Sequence, residues 1–103
     1  MTTATEPPTF IVLSRAGARR DLAKGSREQP YWDAHAAHID RLVDEGAILL
    51  GGPLSDEGGA LLVVRATDEA EVRAKVTPDP WYAHGILELE RVARWELFID
   101  QRT

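Results

Sequence analysis

Thr9-Phe-Ile-Val-Leu-Ser-Arg15 decides the fold. The run is β-branched and aromatic, so it reads as a strand. Both of its alternating sets are apolar, Phe10 and Val12 on one and Ile11 and Leu13 on the other. An antiparallel strand with one wet face alternates apolar with polar instead. Ala60 to Ala66 (ALLVVRA) repeats the pattern, with Leu62 and Val64 set against Leu61 and Val63. These two strands are expected in the centre of a sheet, with both faces covered.

The segments around them supply the remaining elements. Pro30 opens a helix over Tyr31 to Glu45, with Trp32, Ala36, Ile39 and Val43 at helical spacing and Gly46 as its stop. Ala47 to Leu54 (AILLGGPL) reads as a second strand ending in a Gly-Gly-Pro bend, and Ser55 to Gly59 as a turn. Thr67 or Asp68 caps a short helix through Val76, Asp68 and Glu71 having the spacing of a capping box. Thr77-Pro78-Asp79-Pro80 ends it, and Ile86 to Leu97 alternates as a long last strand. The order β-α-β-β-α-β predicts an α+β, ferredoxin-like fold: an antiparallel sheet with two helices on one face. Two helices cover one face only, and the aliphatic side chains on the other are each worth about 1.5 to 3 kcal/mol when buried. A second copy packed sheet to sheet is the expected cover, which makes the chain a homodimer and lets the partner help to enclose a cavity.

Composition narrows function. The 103 residues fit one domain, expected over 9–103 behind a flexible lead-in at 1–8 that has no apolar signal-peptide core. A formal net charge of −5 disfavours nucleic acid or an anionic membrane as partner, and no apolar run approaches a membrane span. The absence of cysteine removes thiolate chemistry and fits a reducing, cytoplasmic location. Five of the twelve cationic side chains, Arg15, Arg19, Arg20, Lys24 and Arg27, lie in or beside Ala16 to Pro30. That segment reads as a solvated loop or as a mobile flap that attracts an anion, with Arg19 or Arg20 as the attracting group.

Chemistry rests on few groups. His35 and His38 are three apart on the first helix, about 60° around its surface. His38, a turn from Leu42, is placed at the margin of the apolar stripe, and Asp79 lies within reach by topology. A carboxylate that fixes an imidazole makes a general acid/base unit. Gly51, Gly52 and Pro53 let a ligand approach the backbone or simply shape a bend, while Trp81 and Tyr82 can line a pocket for a planar ligand. Helical zinc sites use i, i+4 spacing, so no metal is expected, and no Gly-rich segment has the spacing of a nucleotide cofactor site.

His35-Ala-Ala-His38-Ile39, Gly46 to Leu54, Gly59, Asp79-Pro80-Trp81 and Gly85, in that order, resemble the YCII-related (YciI-like) family. The resemblance implies a dimeric α+β barrel of two ferredoxin-like halves. It also implies a pocket in which a helix histidine and the aspartate of an Asp-Pro-aromatic motif form a dyad, falling here on His38 and Asp79. Members of known activity include a dehydrochlorinase acting on a chlorinated hydroxyquinol, so loss of a leaving group after proton removal has precedent. The basic segment of Ala16 to Pro30 is longer than in compact members. The leading expectation is a cofactor-independent lyase or isomerase with His38 and Asp79 as its catalytic pair. His35, Gly51, Gly52, Pro53, Trp81 and Arg19 are the expected substrate-binding residues, and the substrate is small and anionic or aromatic. The alternatives are a non-catalytic ligand-binding or interaction module, and a cofactor-free monooxygenase on the related barrel.

Overall fold

A computed structural model describes residues 7–55 and 57–101. Most of the lead-in at 1–8, and Asp56 of the turn after the second strand, lie outside the described residues. The elements are β1 (Thr9–Ala16), a 3-10 turn (Ser26–Glu28), α1 (Trp32–Asp44), β2 (Ile48–Pro53), β3 (Ala60–Arg65), α2 (Glu69–Val76), α3 (Pro80–Ala83) and β4 (Leu87–Arg94). The four strands form one antiparallel sheet in the order β2-β3-β1-β4, so β1 and β3 occupy the centre as their two apolar sets require. This is the arrangement of a ferredoxin-like fold.

One face of the sheet meets the helices. Phe10 and Val12 of β1, Ile48 of β2 and Val64 of β3 form a core with Leu42 of α1 and Val72 and Val76 of α2. The side chains on the other face fare differently. Ile11, Leu13 and Leu61 are only partly buried there, whereas Val63 is 6% exposed. The chain itself supplies some cover. The last strand ends at Arg94, short of the expected Leu97. Trp95 and Leu97 beyond it border a groove with Val63 and Leu50. Leu50 stays 49% exposed and Phe98 92%.

Local chemistry sets the ends of the helices. Gly46, at φ 81°, lets the Ala47 amide reach back to the Leu42 carbonyl at 2.9 Å and close α1. Asp68 accepts from the Glu71 amide at 2.8 Å, while the Glu71 carboxylate takes the Thr67 amide at 2.7 Å, so both acids of the expected box are used. The segment after Pro78 is not merely a stop. Asp79 caps α3, with Pro80 at its first position.

The basic segment is a folded loop built around a glutamine that its charges concealed. Gln29, 3% exposed, donates from Nε2 to the Asp21 carbonyl at 2.8 Å and the Lys24 carbonyl at 3.1 Å. Its Oε1 accepts from the Asp21 amide at 2.9 Å. The start of the loop is tied to the turn before β4, where the Gly17 amide donates to the Ile86 carbonyl and the Arg19 amide to the Gly85 carbonyl, both at 2.9 Å. A side chain at Gly17 would put its Cβ 2.1 Å from the Gly85 carbonyl oxygen, so only glycine permits this approach.

Candidate active site

The apolar stripe of α1 only borders the core, where Ile39 packs against it, and Trp32 packs against the smaller cluster of Trp81, Ile86 and Leu87. Trp32, Ile39 and Val43 line a cavity of about 310 Å³ between the helix and the sheet, and His35 shares their side. The face turned to the core carries Leu42 and His38, which is 8% exposed. The opposite wall holds Ile48 to Pro53 of β2 with Ala60 and Leu62 of β3, and Ser14, Tyr82 and Leu87 border it as well.

His35, and not His38, meets Asp79. The carboxylate can only accept, so Nδ1 of His35 donates to Asp79 Oδ2 at 2.6 Å. With Nδ1 donating in this way, Nε2 is the other ring nitrogen, on a side chain that lines the cavity. Asp79 is itself held, because its Oδ1 accepts the Trp81 amide at 2.9 Å and it is only 2% exposed. Trp81 donates from its indole to the Pro30 carbonyl at 2.8 Å, joining α3 to the start of α1.

The expected pairing of His38 with Asp79 therefore needs correction, and the reason is the helix face. His38 turns toward α2, where its Nε2 donates to the Lys75 carbonyl at 2.9 Å and its Nδ1 accepts from Arg41 at 3.1 Å. Both ring nitrogens are thus engaged, and His38 does not line the cavity. A signal for His35 was present in the sequence. Positions 32, 35, 39 and 43 form one helical row, so a cavity on that row contains His35 and excludes His38.

The other expected binding residues divide. Gly51, Gly52 and Pro53 line the cavity, but as part of strand β2 and not as a bend after it. A Cβ at Gly51 would stand 2.6 Å from a Leu62 methyl, whereas one at Gly52 would meet nothing within 4 Å. Trp81 lines the cavity, buried and stacked against His35. Arg19 does not. Its methylenes pack over Gly85, 3.3 to 3.5 Å from where a Cβ would project. Its neighbour Arg20 is the residue at the cavity wall.

Two hydroxyls complete the polar part of the wall. Ser14 and Tyr82 share a hydrogen bond of 2.7 Å. Burial pushes the Tyr82 phenol above its usual pKa; the bond to Ser14 opposes this and the charge of Asp79 adds to it. Tyr82 is therefore a neutral hydroxyl at ordinary pH. Among the described residues no group of three or more His, Cys, Asp or Glu is placed to hold a metal ion, and no helix is long and apolar enough to cross a membrane.

Residues 10–96 match the model of the YCII-related domain. The chain belongs to that family. Among solved structures it is similar to the 5-chloro-2-hydroxyhydroquinone dehydrochlorinase of Burkholderia phenoliruptrix, determined in complex with 2,5-dihydroxybenzoquinone. Sequence identity is 25%, the TM-score is 0.57, and the match covers 84% of this chain and 93% of the other. No curated protein matches. In this YCII-related domain the histidine-bearing helix and the Asp-Pro-Trp turn meet at the wall of the cavity.

Proposed function

We propose that this chain is a cofactor-independent enzyme of the lyase or isomerase kind, in which His35 moves a proton at Nε2 on a small planar substrate and Asp79 orients it. The observation that carries this reading is the buried Asp79 carboxylate on His35 Nδ1, at the wall of a cavity large enough for one aromatic ring. In the elimination we envisage, a substrate proton passes to Nε2 and the leaving group departs with its bonding pair. The net change is loss of HX. Asp79 stabilises the imidazolium formed on the way, and the neutral hydroxyl of Tyr82 is a donor available to a developing oxyanion. The similar dehydrochlorinase supports both the reaction class and the planar ligand.

A homodimer joined through the open sheet face belongs to the same proposal, supported by the apolar side chains left exposed on that face and on the tail beside it. We take the cytoplasm as the place of action, since a cysteine-free sequence suits a reducing compartment.

The test is a screen of chlorinated and hydroxylated quinols, following chloride release and quinone absorbance for the wild type, His35→Ala and His38→Ala. Turnover by the wild type and by His38→Ala, with a loss of about 10²-fold or more in His35→Ala, is expected. Equal turnover with and without His35 overturns its role. Ring binding with no product from any substrate would instead favour a ligand-binding module.

A further inference from the structure

We propose that Arg20 selects a substrate bearing a carboxylate on its planar ring, by receiving that carboxylate at the cavity wall. This deepens the enzymatic reading, whose cavity it uses, and rests on that reading only for the statement that the ligand is a substrate.

Four observations carry it. Among the described residues Arg20 is the only arginine or lysine that lines the cavity. Its Nε is buried with no hydrogen-bond partner. Among the described residues its guanidinium makes one hydrogen bond, a long one of 3.4 Å from Nη2 to the Ser26 hydroxyl. Among the described residues no carboxylate pairs with it, although the loop around it contains acids. Those acids are engaged elsewhere, Asp21 capping the Ala23 amide at 3.0 Å and Glu28 the Gly25 amide at 3.2 Å.

A guanidinium in this state is short of an anion. Burial of such a group has a desolvation cost that charge-assisted bonds normally offset. The same burial lowers the pKa of Arg20, in keeping with a missing counter-ion, yet a guanidinium keeps its proton throughout the physiological range. Its planar fork suits a carboxylate, and its carbon lies 6.0 Å from the Trp81 ring centroid. A ring placed near His35 would thus present a substituent to Arg20, with Ser26 as a second donor. One cation with one hydroxylated neighbour, Ser26, suits a monoanion better than a phosphate dianion. The loop that delivers Arg20 is the long basic segment, folded on Gln29 and moored to Gly85 and Ile86. It is therefore a specificity element and not only a solvated surface.

The test compares 2,5-dihydroxybenzoate with hydroquinone, which lacks only the carboxylate, by titrating tryptophan fluorescence and by calorimetry. The wild type should bind the acid at least about tenfold more tightly. Arg20→Gln should bring the two within about twofold by weakening the acid alone, Arg20→Lys should retain part of the preference, and Ser26→Ala should reduce it. His35→Ala should keep the preference while losing turnover, so a chain that never turns over yet shows this pattern sinks the enzymatic reading and leaves Arg20 in its role. A wild type that prefers hydroquinone, binds both equally or binds neither overturns the proposal. So does an Arg20→Gln protein, folded by circular dichroism, whose preference is intact.

Discussion

The His35 ring lies flat on the Trp81 indole, with centroids 3.6 Å apart and planes 5° from parallel. Stacking fixes the tilt of the imidazole, and the Asp79 carboxylate fixes its rotation and its tautomer. Asp79 is in turn fixed by the Trp81 amide. The three side chains form a closed unit in which no member can turn without breaking a contact to another. A base held in this way has little reorganisation left to do when a proton moves.

Asp79→Asn probes that closure without needing a substrate. The Trp81 amide must still find an oxygen, so the asparagine is expected to turn its Oδ1 there and its NH2 toward His35 Nδ1. Nδ1 then has to accept, and the ring proton moves to Nε2. Nitrogen-15 NMR of the histidines should show His35 changing from the Nδ1–H to the Nε2–H tautomer, with His38 unchanged. Turnover, where a substrate is found, should fall by about 10²- to 10⁴-fold, because Nε2 no longer has a lone pair to take a proton. An unchanged His35 tautomer would show that Asp79 does not set it.

The fold was legible in the sequence because it follows from patterns along the chain. The doubled apolar sets of β1 and β3 placed both at the centre of the sheet, and the Asp68–Glu71 box placed α2. The site was legible only in part. The Asp-Pro-Trp setting marks Asp79, but two histidines three residues apart compete as its partner, and the structure gives His35 in place of the expected His38. That choice depended on which side of α1 faces a cavity, and a cavity leaves no period in a sequence. The row Trp32, Ile39, Val43 does not declare its use, since an apolar side chain serves equally well to pack a core or to line a pocket. Gln29 leaves no mark in the sequence because its role is to bond the backbone of its own loop, which composition does not reveal.

The Tyr82 phenol gives the fold a dependence on alkaline pH. Burial raises its pKa in the native state above the value of about 10 in an unfolded chain. The native state therefore holds this proton more tightly than the unfolded state. The stability it contributes is fully present below pH about 10 and is lost as pH rises through the native value. Urea midpoints measured from pH 8 upward should fall beyond pH about 10. Tyr82→Phe should start from a lower midpoint, having lost the Ser14 bond, but should decline less steeply. Parallel declines in the two proteins would remove Tyr82 as the cause.

The outer face of the sheet is the place to test assembly. Ile11 and Leu13 of β1 and Leu61 of β3 lie next to one another there, since Leu13 pairs with Leu61 and Ile11 with Val63. The tail after β4 shelters Val63 but leaves Phe98 92% and Ile99 80% exposed. Phe98 and Ile99 gain close to the full value of about 1.5 to 3 kcal/mol on burial and the half-buried Ile11, Leu13 and Leu61 a fraction of it, enough together to hold two copies at micromolar concentration. Sedimentation of the wild type is expected to give twice the chain mass. Leu61→Glu places a charge at the middle of the patch and should give the single-chain mass with an unchanged far-ultraviolet spectrum. The helix side, with its cavity, is untouched by that change, so ligand binding by the monomer should persist. A wild type that sediments as one folded chain would mean that the tail alone suffices to cover the sheet.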